Sequence, residues 1–323
     1  MNCPTDISSE NIELSKNPAL KKKRPPFRLA LFLFLVTGFT TILAGYALHT
    51  AFLLQAGEVF SPPLWADLLS NPMLLLKGLP FSAALLLILT AHESGHYFAC
   101  RRYGISCTLP YLIPAPPFVN MFGTFGALIR IKSPFLNRRQ LFDVGIAGPL
   151  AGFAVTVPAL VAGLMLSNET VITDADYGYT LLFGEPILFK LSSWLFFSGE
   201  GNAINLHPLG WAAWIGMLAT SLNLLPAGQL DGGHIVYALS GVRMHRILST
   251  ATAILLLGLG LWSWPVLAYL LFAILLLVMK LRHPPTLFDN YPLGRKRILI
   301  GLAAGLVFLV TFIPVPVQIA GTS

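Results

Sequence analysis

"LPFSAALLLILTAHESGHYFACRR", residues 79–102, reads as a membrane helix at its start and as a metal site near its end. Its first half is almost wholly apolar, it closes on Arg101 and Arg102, and between them stand His92, Glu93 and His96. On an α-helix, His92 and His96 are four residues apart and project from one face, so two imidazole nitrogens can meet one ion with Glu93 beside them. Zinc suits that set, because it accepts His and carboxylate ligands and keeps a position for water in catalytic sites. The competing explanation is a pair of packing histidines with a glutamate as chance neighbour. Depth favours the metal. At 1.5 Å per residue, His92 lies on the order of 14 Å inside the edge marked by Arg101 and Arg102, where an ionisable residue costs roughly 2.5–3.5 kcal/mol to insert. Ser94 and Gly95 are small and leave the helix surface open around the ion.

The rest of the chain supplies the bilayer. Of 323 residues, 55% are hydrophobic and 11% charged, and the mean hydropathy is +0.71, which marks a polytopic membrane protein. Apolar segments run over 29–48, 73–100, 144–167, 208–225, 247–262, 265–281 and 298–314. Those at 247–262 and 265–281 are short and divided by "WSWP", as one tight helical hairpin or a single broken span. The net charge of +7 falls in clusters beside these segments, as an orientation signal does, and not on a nucleic-acid surface. Every Lys and Arg except Lys77 and Lys190 lies in 1–28, in 101–139, at Arg243 and Arg246, or in 280–297. The stretch 168–207 instead carries Glu169, Asp174, Asp176, Glu185 and Glu200, as an external loop can. Alternation of this kind fits seven spans with the N-terminus on the basic, cytosolic side. Residues 1–27 read as a disordered cytosolic tail with no signal or transit peptide, which favours a bacterial cytoplasmic membrane. Cys3, Cys100 and Cys107 are too few for a disulfide framework.

A hydrolytic zinc site usually has three protein ligands. "NLLPAGQLDGGHIVYAL", residues 223–239, offers the third. Pro226 and Gly228 break one apolar span, and Asp231 heads another that runs to Arg243, about 18 Å from that edge and close to the depth of His92. Asp231 reads as a ligand, an N-cap for the following helix, or both. His234 is a rival ligand, but three residues on it points away from a metal held by Asp231. Asn223 could be interhelical glue. His207, His245 and His283 fall by loops and read as ordinary surface histidines.

"HESGH" followed about 130 residues later by "NLLPAGQLDGG" resembles the site-2 protease family of intramembrane zinc metalloproteases, in a compact form without a PDZ domain. "GIAGPLAG", residues 145–152, is similar to the small-residue helix that follows the family's catalytic segment. The resemblance implies one zinc per chain, held by His92, His96 and Asp231, with Glu93 as general base and Asn223 holding substrate or the developing oxyanion. It also implies cleavage of transmembrane protein substrates within the lipid bilayer.

"NMFGTFGALIRIKSPF", residues 120–135, alternates Leu128, Arg130 and Lys132 with Ile129 and Ile131, as a strand does. It reads either as an amphipathic loop at the headgroups or, with the family's hairpin as support, as a re-entrant strand that pairs with unfolded substrate. The expected fold is an all-α polytopic membrane protein of about six to seven transmembrane helices, with that re-entrant β-hairpin. A metalloprotease domain occupies 28–323, with its catalytic core at about 80–240. Two functions of other classes compete with an intramembrane zinc endopeptidase. One is a proteolytically inactive scaffold or chaperone; the other is a metal transporter, which would need polar residues spread along several spans.

Overall fold

The computed structural model describes residues 27–55, 65–170, 181–197, 203–262, 268–278, 281, 283–288 and 292–319. The expected tail lies outside these residues except for Phe27, which begins the first helix, and so does the W-S-W-P turn except for Trp262.

Helix α1 (Phe27–Gln55) is apolar on every side. Phe32, Leu35 and Phe39 face outward and exposed, while Thr37, Thr41 and Ala44 are fully buried. After α2 (Trp65–Ser70) and a 3-10 turn (Pro72–Gly78), α3 (Leu79–Arg102) runs back beside α1. The two meet through small residues. Thr41 Oγ1 lies 2.6 Å from Ser82 Oγ, and a Cβ on Gly45 would collide with the carbonyl of Gly78. In lipid, where apolar surface gives no drive to pair helices, such close backbone approach is what holds them.

Two short strands follow, β1 (Tyr111–Pro114) and β2 (Thr124–Leu128), paired antiparallel. The strand expected over 128–132 therefore lies earlier: only Ile131 of its C-terminal half makes a bridge, to Cys107. The turn decides the position. Asn120 Oδ1 accepts from Phe122 N at 2.9 Å, Gly123 takes a φ of 76°, and the return strand starts at the next residue. The first strand is hidden in the sequence by Pro110, Pro114, Pro116 and Pro117, since proline argues against pairing. Thr40 Oγ1 donates to Gly123 O at 2.7 Å, thirteen residues into α1, so the hairpin tip reaches roughly 20 Å along that helix. The hairpin tip therefore lies beside the middle of an apolar helix, where a re-entrant hairpin would be.

Helix α4 (Arg138–Met165) starts from a reciprocal cap: Asn137 Oδ1 accepts from Gln140 N at 3.0 Å, and Gln140 Oε1 accepts from Leu136 N at 3.1 Å. Pro149 and Pro158 lie within it, as neighbouring helices in a membrane allow. At the opposite end β3 (Asn168–Thr170), β4 (Leu181–Phe183), α5 (Ile187–Ser193) and β5 (Ala203–Asn205) form the layer expected to be external. β3 pairs with β5, and β4 pairs with the C-terminal β6 (Val317–Ile319).

Helix α6 (Pro208–Leu224) returns inward and packs on α4 where Gly163 meets Gly210. Then comes α7 (Asp231–Trp262), whose 32 residues are broken at Gly241 by φ 80° and ψ −177°, a conformation essentially reserved to glycine. There the chain doubles back. Ser249 Oγ accepts from Gly228 N at 3.1 Å, so the second half of α7 lies beside the loop that precedes the first. The segments expected at 231–243 and 247–262 are thus the two arms of a bend. Helix α8 (Ala268–Val278) packs against the end of α7, with the backbone of Leu270 tight on Gly260. Residues 247–262 and 268–278 are thus two helices packed against each other.

Helix α9 (Arg295–Thr311) closes the bundle. Arg297 holds both Asp143 oxygens, at 2.8 and 2.7 Å, and the Tyr103 hydroxyl donates to the same carboxylate, tying the basic ends of α3, α4 and α9 together. Among the described residues, each of the seven expected apolar segments carries helix. By length and composition four of the described helices suffice to cross a membrane: Phe27–Leu54, Pro72–Arg102, Arg138–Met165 and Asp231–Trp262. The last of these is the bent one.

Replacing Gly123 with alanine should undock the hairpin, because the new Cβ meets Thr40 O and the positive φ costs a further 1–2 kcal/mol, roughly. Limited proteolysis should then cut within 108–132 while the helical circular dichroism signal stays unchanged.

Candidate metal centre

Two helices and one bare helix face build the centre. α3 carries His92, Glu93 and His96, which are 7%, 6% and 6% exposed. The first turn of α7 carries Asp231, and its Oδ2 lies 3.3 Å from His92 Nε2 and 3.3 Å from His96 Nε2. The two imidazole nitrogens are 3.2 Å apart. A point equidistant from the corners of a triangle with these sides is about 1.9 Å from each, close to the 2.0–2.2 Å that zinc makes with His and carboxylate. Among the described residues, these three form the group of His, Cys, Asp and Glu able to share an ion.

The imidazoles are oriented for it. His96 Nδ1 lies 2.7 Å from Val144 O; a carbonyl only accepts, so the proton sits on Nδ1 and Nε2 keeps its lone pair for a metal. The space comes from α4. A Cβ on Gly148 would overlap the His96 ring at Nε2, and one on Gly152 would come to 3.1 Å from His92 Cβ. Gly145, one turn earlier, leaves room for His234 Cβ and the Asp231 carbonyl. Gly95 on α3 lets that helix lie against the backbone of Ala147. The stretch "GIAGPLAG" is therefore the cradle of the centre as well as a packing face.

Asn223, at the end of α6, places its Nδ2 3.4 Å from His92 Nε2, so its amide group borders the centre. The backbone amide of Ile129, the residue after β2, lies near enough to interact with the Glu93 carboxylate. The hairpin thus ends against the buried acid.

His234 stands apart from the three-residue group, as its offset from Asp231 requires. His245 and His283 depart from the surface positions expected of them. His245 is 2% exposed and its Nε2 donates to Gly228 O at 2.9 Å, which fastens the bend of α7. His283 lies 2.6 Å through Nε2 from His234 Nδ1 and stacks on Tyr237 with ring centroids 4.4 Å apart. Both contacts join residues distant in sequence, so no local pattern announces them. Cys100 and Cys107 are free thiols. Burial pushes the Cys107 thiol up from its ordinary value, with partial relief from Cys100, Arg101 and Lys132.

Residues 80–264 match the sequence profile of Peptidase family M50. Curated relatives include "Probable zinc metalloprotease EGY2, chloroplastic" of Arabidopsis thaliana, 36% identical over 221 residues, which cover 66% of this chain and 37% of that protein. "Probable zinc metalloprotease EGY1, chloroplastic" of the same plant is 32% identical over 244 residues, 74% of this chain and 43% of that protein. The protein of that name in Oryza sativa subsp. japonica is 30% identical over 298 residues, 88% and 50% respectively. The chain spans half or less of the length of these relatives. All three are named as chloroplastic, which stands against the expectation of a bacterial cytoplasmic membrane.

Gly148→Ala tests the cradle. The added methyl occupies the space at His96 Nε2, so zinc affinity should fall by about tenfold or more, measured by competition with a chromogenic chelator, while the protein remains folded and monodisperse in detergent.

Proposed function

The chain belongs to Peptidase family M50, and from that premise we propose that it is a zinc-dependent endopeptidase that hydrolyses membrane-protein substrates within or beside their transmembrane segments. The observation that carries this reading is the convergence of His92, His96 and Asp231 at 3.2–3.3 Å, inside an apolar bundle and with Glu93 beside them. Such a group is costly to bury and has no structural need of a glutamate.

His92, His96 and Asp231 would hold the ion. Zinc supplies Lewis acidity and lowers the pKa of water to about 7 when bound. Glu93 takes the proton of the attacking water and returns it to the leaving amine, a role that requires a carboxylate within reach of both. The Ile129 amide fixes that carboxylate in place. Asn223 donates through Nδ2 to the scissile carbonyl oxygen, where negative charge develops. A substrate in helical form hides its carbonyls in its own hydrogen bonds, whereas one added as a strand beside β2 presents them. Substrates on this reading are single transmembrane segments with a helix-destabilised stretch at the depth of the centre. The N-terminus lies on the basic side of the membrane.

Two measurements on purified full-length protein test the roles. Glu93→Gln should lower cleavage of a transmembrane reporter by roughly a hundredfold to ten-thousandfold and leave about one zinc per chain; unchanged cleavage would remove Glu93 from the chemistry. Ile129→Pro deletes the amide that reaches Glu93 and should cut turnover at least tenfold with zinc retained, while Ile129→Val, which keeps the amide, should cleave at near the unsubstituted rate.

A further inference from the structure

His283 and His234 form a chain of hydrogen bonds whose direction can be read from its end. His283 Nδ1 bonds to Pro284 O. A carbonyl only accepts, so Nδ1 carries the proton and the neutral ring offers its Nε2 lone pair. That lone pair faces His234 Nδ1 at 2.6 Å, so His234 is protonated at Nδ1 and bare at Nε2. Among the described residues nothing bonds to that Nε2. Burial holds His283 down, to about 4, in keeping with a neutral ring.

Both rings are fixed. His283 is stacked on Tyr237 at 4.4 Å and meets His245 edge-on at 5.5 Å. His234 seats its Cβ in the notch at Gly145, beside the Asp231 carbonyl, with the ring of Phe135 6.0 Å away. Its ionisable neighbours are Asp231 and His96 of the metal centre, together with His283 and His245. The ring therefore joins the segment after α8 to the residues around the centre.

We propose that His234 contacts substrate, its unprotonated Nε2 accepting a backbone N–H of the bound polypeptide, and that His283 is the positioning residue that holds it in that tautomer. A strand laid beside β2 has N–H and C=O groups on its far edge as well, and at membrane depth each unmet group costs several kcal/mol. The end of α6 and the start of α7 carry one group of each kind: the Asn223 amide can donate and the His234 Nε2 can accept. The inference rests on the proteolytic reading for the nature of the ligand, but the tautomer is independent of it.

The experiment uses full-length protein in nanodiscs with histidine labelled by nitrogen-15. The side-chain spectrum, assigned by loss of signal in His234→Phe, should show His234 protonated at Nδ1. In His283→Phe, which keeps a ring on Tyr237 but offers no acceptor, that signature should disappear, and His283→Gln, which restores an acceptor, should recover it. With a peptide spanning the cleaved bond, KM should rise between about threefold and tenfold in His283→Phe, with kcat and zinc content little changed, and should return towards the starting value in His283→Gln. An Nε2-protonated His234 in the unsubstituted protein overturns the proposal, and so does an unaltered KM in His283→Phe. If the unsubstituted protein cleaves nothing, the proteolytic reading fails, while the spectrum still decides the tautomer.

Discussion

Between α3 and α4 the backbones come close enough that the imidazoles of one helix occupy the volume where the other would carry side chains. Gly145, Gly148 and Gly152 recur on one face of α4, and each faces a residue of the centre: His234 with the Asp231 carbonyl, His96, and His92. A methyl on the middle one would overlap His96 Nε2, a corner of the candidate centre. Helix association in lipid depends on contact and not on expulsion of water, so the approach that packs these helices also sets the spacing of the ligands. Val144 adds the last element: its carbonyl, on the same helix, fixes the His96 tautomer.

The grouping of His92, His96 and Asp231 was legible because covalent spacing determines most of it. His92 and His96 share a helix face whatever surrounds the helix, and Asp231 follows a helix break at a matching depth. The hairpin was half legible. Alternation in 128–132 announced a strand, but the Asn120 turn and the positive φ of Gly123 move the pairing to 124–128. The bend of α7 was not legible, since Gly241 looks like any other helix glycine until His245 and Ser249 are found reaching back to Gly228. His283 was missed for the same reason: 49 residues separate it from His234, and only the packing of the segment after α8 brings them together.

The hairpin and the helices serve opposite requirements. The helices satisfy their own backbone groups, which is why they can stand in lipid. The hairpin satisfies one edge against its partner strand and is fastened to α1 through Thr40 and Gly123. Its end at Ile129 touches Glu93, so the element that would align an incoming strand is also in contact with the buried acid.

The bend at Gly241 has a mechanical consequence. Asp231 is borne by an arm of α7 rooted at the basic face, and α3 ends at that same face, where Tyr103, Asp143 and Arg297 lock it. In a bilayer all three candidate ligands would therefore hang from the leaflet at that face, and their depth would be set from it. Thickening or thinning of the other leaflet would shift the external strands and the outer ends of α1 and α6, altering how a guest helix is seated without stretching the triangle that holds the ion.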